Sequence, residues 1–454
     1  CWYHPLRQLC PPSRITVRRP NFSANRIVTR REALGLGAAI IGGSLLAQRR
    51  SRSDTASLPR LTVLAPTLPN PAPPGVAEYL MDGLQIWEGQ HGADVYFDKT
   101  AFENIKPKIL INVRQGYYVH DVMYCGGWAQ EIAQRLLPLD TLISPVLRND
   151  LPPWSLSSFQ WKSRTYGVPS VANPMILYYN RDLLTEAGIT EPPATWDDLL
   201  AAASTVAESG AAGWAFPGAQ TGGIGGLMSS WQVFFLQAGG RLFGSNDQPS
   251  IANDAGVAAI EMLQGLVRAN SSASLTYSSL QDASVAFLKG ETAMMMNWAG
   301  MHDSLVDLMG VQSTFRMGTS PLPAGPVGRA SIDSGDGWTI DSRSWQSTRA
   351  MELIQFTLQP RVQAQMYPAT GWLPISLTAL ADPEVVAQAP HAPAVYQQLR
   401  ARIDSGFRPN FDVVTQVIGN EVRQALLGMK TPIVALRDAA TLLNAANSTG
   451  LPLT

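Results

Sequence analysis

Residues 166–200 read YGVPSVANPMILYYNRDLLTEAGITEPPATWDDLL. Met175 to Tyr179 is short, apolar and Tyr-rich, the pattern of a central strand buried on both faces. Asp182–Ala187 then predicts a short helix stopped by Gly188, a residue that tolerates the left-handed position after a helix end. Beyond Pro192-Pro193, Thr195 is a good N-cap, and Trp196, Leu199, Leu200, Ala203 and Val206 follow at helical spacing. The junction carries no nucleophile, base or metal ligand. It is architecture placed beside a site.

Outward from this stretch the same grammar repeats. LTVLAP, Leu61–Pro66, predicts a buried strand, and Val76, Leu80, Leu84 and Trp87 mark a helix after it. HDVMYCGGWAQEIAQRLLPLD, from His120, gives a strand, a Gly126-Gly127 turn and a helix with Ile132, Leu136 and Leu137 on one side. Strand–helix alternation predicts α/β architecture with a mostly parallel, helix-covered sheet. Ligands of such sheets sit beyond the carboxyl ends of the strands, where Tyr124 and Trp128 fall.

With 454 residues the chain is too long for one core, which predicts two domains. Charged residues are only 15% of the chain and the net charge is −1. That charge is uneven: up to Arg60 there are eleven Arg against Glu32 and Asp54, a net of about +9, leaving about −10 for the body. A basic head on a mildly acidic body points to targeting and away from nucleic acid. Arg30 and Arg31 precede an apolar stretch, Ala33–Ala47, too short to span a bilayer comfortably. The segment resembles a twin-arginine export leader. No clear Ala-x-Ala site follows, and QRRSRS after it is unusually basic, so the expectation includes an uncleaved membrane tether. Of three cysteines only Cys125 lies in the body, which excludes an intramolecular disulfide there.

The opening stretch resembles the signature of extracellular solute-binding proteins of the maltose-binding type, the receptors of ABC importers. VAFLKGETAMMMNWAG (Val285–Gly300), PLPAGPVGRASIDSGDGWTID (Pro321–Asp341) and YPATGWLPISLTAL (Tyr367–Leu380) fall in that family's order and spacing, and the likeness runs from about Arg60 to Ala446. The resemblance implies a two-lobed periplasmic-binding-protein fold, each lobe a sheet, joined by crossover hinge segments near Leu139–Pro174, Ile332–Trp338 and Tyr367–Pro374. It divides the chain into a leader, 1–59, a first lobe, 60–141 and 334–372, and a second lobe, 142–333 and 373–454. It further implies a periplasmic monomer that hands its ligand to permease subunits driven by a separate ATPase, with no cofactor and no turnover.

A sugar offers apolar C–H faces and a rim of hydroxyls. Aromatic rings suit the faces, and planar amides and carboxylates suit the rim. The candidates on cleft-lining loops are Tyr124, Trp128, Trp231, Trp298, Trp338 and Trp372. The family pattern favours Trp298 as stacking platform, with Asn173 and Asp336 as hydroxyl partners. Each has a bland alternative: a Trp is often core, and Asp336 in Gly-Asp-Gly is common turn chemistry. Trp154, Trp161, Trp196, Trp214 and Trp345 are read as packing residues, as are Tyr178 and Tyr179. TGGIGGLMSS lacks both the dinucleotide spacing and a P-loop lysine. Five His without an H-x-x-x-H pair give poor support to a zinc hydrolase, and no metal site is expected. An exported carbohydrate-active hydrolase and a same-fold receptor for a cationic solute such as a polyamine are the rival readings; a polyamine cleft needs more carboxylates than Asp336.

Overall fold

The computed structural model describes residues 58–67, 81–244, 248–312, 315–333, 336–404 and 411–448. The twin-arginine-like leader, and Val76 and Leu80 of the expected first helix, lie outside the described residues. Arg60–Thr454 is a compact unit distinct from the leader, and the description concerns that unit.

The strand Met175–Asn180 is buried at every position and lies second in a four-stranded sheet. Met317–Ser320 flanks it on one side and Thr292–Trp298 on the other, with Ala212–Ala215 at the far edge. Tyr179 pairs with Met294 and with Gly318. A Cβ on Gly318 would sit 2.3 Å from the Tyr179 ring, so only glycine leaves room for that tyrosine. Asn180 ends the strand and caps the helix Arg181–Glu186, its Oδ1 accepting from the backbone N–H groups of Asp182 (3.0 Å) and Leu183 (3.1 Å). Gly188 follows at φ +76°, as its place after the helix demands. Thr195 and Asp198 form a reciprocal capping box on Trp196–Glu208, worth about 1 kcal/mol for the cap alone. Leu199, Ala203 and Val206 on that helix are buried against the sheet.

A five-stranded sheet makes the other lobe, in the order Asp94–Ala101, Arg60–Thr67, Val122–Cys125, Gly337–Ile340, Gly167–Pro169. Leu61, Val63, Trp338 and Ile340 carry its core, covered by Trp87 and by Leu353 and Ile354 of the helix Ser347–Thr357. Residues 127–135 wind as 3₁₀ turns with a kink at Ile132, not as the α-helix that their apolar spacing predicts.

Both sheets are mixed, where strand–helix alternation predicts mostly parallel ones. The first three strands of the larger sheet are parallel, but Gly337–Ile340 runs antiparallel to both of its neighbours. In the smaller sheet Met175–Asn180 is antiparallel to both of its neighbours. The reason is topological. Residues 169–175 carry the chain from the larger sheet to the smaller, and residues 332–337 carry it back. Two connections crossing one gap in opposite senses must lie antiparallel, and each delivers an antiparallel strand to the sheet that it enters.

Among the described residues those connections pair at several points. Trp338 pairs with Val168 and Gly337 with Pro169. The Ser170 N–H donates to the Asp336 carbonyl at 3.0 Å, and the Ser331 hydroxyl donates to the Met175 carbonyl at 2.9 Å. Between them the Asp333 carboxylate accepts from the Asn173 N–H at 3.0 Å, beside Pro174, which has no N–H of its own. A third passage joins them where Leu373–Pro374 pairs with Val171–Ala172. A side chain thus takes over a ladder bond where the proline interrupts it.

Candidate functional site

The crossing strands fix two sheet edges at their ends. At the first edge, Tyr124 is the last but one residue of the buried strand Val122–Cys125 and pairs with Trp338 in the ladder. Tyr124 meets Trp338 edge-on, with ring centres 5.0 Å apart and planes at 82°, and lies nearly parallel to Trp372 at 6.5 Å and 24°. The chain then turns at Gly126. A Cβ there would stand 3.0 Å from Asp336 Oδ1 and 3.1 Å from Trp128 Nε1, so that turn brings the carboxylate and the indole N–H to one spot. Tyr124 with Trp372, and Trp128 with Asp336, are therefore two pairs near the end of one strand.

At the second edge Trp298 ends its strand, half-buried against the smaller sheet's core. Its backbone is held on both sides: its N–H donates to Asn297 Oδ1 at 2.8 Å, and its carbonyl accepts the Tyr178 hydroxyl at 3.0 Å. Asn173 Oδ1 accepts from the Gly300 N–H at 2.9 Å, which leaves the NH2 of the same amide as what Asn173 can offer a guest. Trp298 and Asn173 are thus neighbours across one turn.

Three of the expected platforms are core residues: Tyr124, 1% exposed and packed against Trp338 and Trp372, joins the two indoles described next. Trp231 is 0% exposed inside the helix Ile224–Gln237, stacked on Phe235 at 4.7 Å, with its N–H donated to the Gly256 carbonyl. No face of that ring is open. Trp338 is 1% exposed among Val63, Phe97, Val122 and Ile354, on the face that the helix Ser347–Thr357 covers. Like Tyr124, which it meets edge-on, it packs inside the core. Trp345, read as packing, is 73% exposed, whereas Trp214, Tyr178 and Tyr179 are buried.

Three side chains that hold these edges and the crossing in place are not apparent from the sequence. Tyr178 is a core tyrosine whose hydroxyl anchors the turn under Trp298, and a Tyr inside an apolar strand is the available signal, since a buried phenol wants a partner. The Asp333 carboxylate holds the crossing. Lys106 lies 5.8 Å from the Trp128 ring centre and pairs with Glu131 at 2.9 Å. Neither Asp333 nor Lys106 stands in a local pattern that announces it.

The chemistry offered is recognition. The Cys125 thiol is fully buried and donates or accepts at 3.3 Å with the Thr339 hydroxyl; burial pushes it up to about 12, aided by Asp336, so it is no nucleophile. Stacking faces, one amide and one carboxylate remain. Among the described residues no helix is long and apolar enough to cross a membrane.

A family model described as bacterial extracellular solute-binding protein matches residues 85–394. A probable amino-acid ABC transporter periplasmic-binding protein of Sinorhizobium fredii is 24% identical over 89% of this chain and 94% of its own length. Among solved structures, the cyclic alpha-maltosyl-1,6-maltose binding protein of Arthrobacter globiformis superposes with a TM-score of 0.73 at 22% identity, covering 86% of this chain and 99% of that one. The sugar-binding protein MalE of Xanthomonas citri gives 0.71 at 19% identity over 84% and 95%. At such identities the structures establish a shared two-lobed fold.

Proposed function

Because the chain belongs to the bacterial extracellular solute-binding protein family, we propose that it is the receptor of an ABC importer that captures a sugar or oligosaccharide between its lobes. The family binds solutes and does not transform them, so the protein is not an enzyme. The observation that carries the sugar assignment is the composition of the two strand edges. Trp128 and Trp372, the latter backed by the buried Tyr124, on one side and Trp298 on the other supply ring faces, while Asp336 and Asn173 supply directional partners for hydroxyls. An amino acid needs a cation for its carboxylate, and Lys106 near Trp128 is already paired with Glu131. A polyamine needs several carboxylates, and Asp336 is a single one.

Ligand bridging both edges would favour the closed arrangement by population shift, with the crossings near Leu139–Pro174, Ile332–Trp338 and Tyr367–Pro374 as hinges. The first lobe boundary then moves from the expected 141/142 to the crossing at 169–175, because Gly167–Pro169 is a strand of the larger sheet, while the expected boundary at 333/334 falls within the return crossing. A micromolar affinity corresponds to about 8 kcal/mol, part of it used in closure. The closed monomer would dock on permease subunits served by a separate ATPase, after export on a twin-arginine leader that either is removed or stays as a tether. Tryptophan fluorescence against mono- and oligosaccharides, amino acids and spermidine tests the ligand class. Saturable change with a saccharide alone is expected; response only to an amino acid or to spermidine would refute it.

A further inference from the structure

A second convergence of polar side chains lies outside these strand edges. His302 opens the helix His302–Gln312, Tyr367 belongs to Met366–Thr370, and His391 immediately precedes the helix Ala392–Leu399. The two imidazoles stack with ring centres 4.0 Å apart and planes at 15°. His302 Nδ1 is 3.0 Å from Asp303 Oδ1, and the same oxygen accepts the Tyr367 hydroxyl at 2.7 Å. One coordinating atom from each of His302, Asp303 and His391 lies within 4.8 Å of the others. His391 is 0% exposed, and neither of its ring nitrogens meets a hydrogen-bond partner among the described residues. A buried polar group without a protein partner carries a desolvation penalty that an ion or an ordered water removes.

We propose that His302, Asp303 and His391 bind a divalent ion of the zinc class, with Tyr367 orienting the Asp303 carboxylate from behind. Two imidazoles and a carboxylate are the donor set of a three-ligand zinc site, whose fourth position takes water. Calcium and magnesium demand more oxygen ligands than the group supplies. The Asp303 side chain is 45% exposed, which gives an ion a way in. The Tyr367 hydroxyl is the second layer that zinc sites commonly use to fix a ligand.

One adjustment is needed. Parallel rings cannot both aim an in-plane nitrogen at one ion, and ligand atoms around a tetrahedral zinc stand roughly 3.3 Å apart. One imidazole must turn about its terminal torsion, and His391 breaks no hydrogen bond in turning. The bound ion would tie the helix His302–Gln312 to the segment before the third crossing and to the helix Ala392–Leu399. Nothing in this assignment depends on which solute the protein carries.

Untagged full-length protein, stripped with chelator, should bind one Zn²⁺ per chain in titration calorimetry, with a rise in Tm, and one Co²⁺ with visible ligand-field bands of low coordination number. Asp303→Asn, at a partly exposed position, and His391→Gln should each weaken Zn²⁺ by tenfold or more and abolish the Co²⁺ bands. Tyr367→Phe should weaken Zn²⁺ about tenfold with stoichiometry kept. Absence of saturable binding, or an Asp303→Asn protein with native circular dichroism and unchanged Zn²⁺ affinity, would overturn the site.

Discussion

Trp231 and Trp298 serve the same core of the smaller-sheet lobe, yet their surroundings assign them opposite tasks. Trp231 has Phe235 against one face, its N–H on Gly256, and no exposure. Trp298 stands where its strand leaves the core, half-buried, with its backbone pinned by Asn297 and Tyr178 and part of its ring open. A ligand platform must be rigid without being covered. Strand ends give that combination; the interior of a helix apolar on every side does not.

The sharpest way to break the contrast is to delete each indole. Trp231→Ala should cost about 3–5 kcal/mol of stability in denaturant unfolding, while saccharide affinity of the folded protein stays within about twofold. Trp298→Ala should reverse the pattern, weakening the saccharide about a hundredfold, about 3 kcal/mol, with little change in Tm. Equal losses of affinity in the two variants would erase the distinction. Trp372→Ala, on the opposite edge and backed by Tyr124, should lose about tenfold in affinity by calorimetry. The smallest effect belongs to Thr195→Ala, which removes a cap remote from both edges: about 1 kcal/mol of stability and no change in binding.

What the sequence reveals of this arrangement is its local part. Asn180, Gly188, Thr195 and Asp198 act within a few residues of themselves, so the short helix, its left-handed stop and the capped helix after it are all readable. The burial of Met175–Asn180 is readable too, because an apolar run of strand length has few other uses. Sheet sense is not, since it depends on residues 169–175 meeting residues 332–337 across a gap in sequence. Trp231 misleads because a Gly-rich start suggests a loop. IGGLMSSWQVFFLQ is apolar all round, and that is the available sign of a buried helix. Trp338 misleads for a subtler reason: alternation along Gly337–Ile340 does not say which face meets helices. The His302–Asp303–His391 group leaves no trace in the sequence, because short-range spacing rules see only ligands that share one helix or hairpin.

Capture without chemistry is what separates a receptor from a hydrolase of similar composition. The decisive measurement is titration calorimetry of the protein with linear maltooligosaccharides, followed by chromatography of the recovered sugar. Saturable heat at one site per chain with the sugar returned intact is the predicted result. Released reducing ends, or no heat with any saccharide while an amino acid or spermidine saturates the protein, would contradict it.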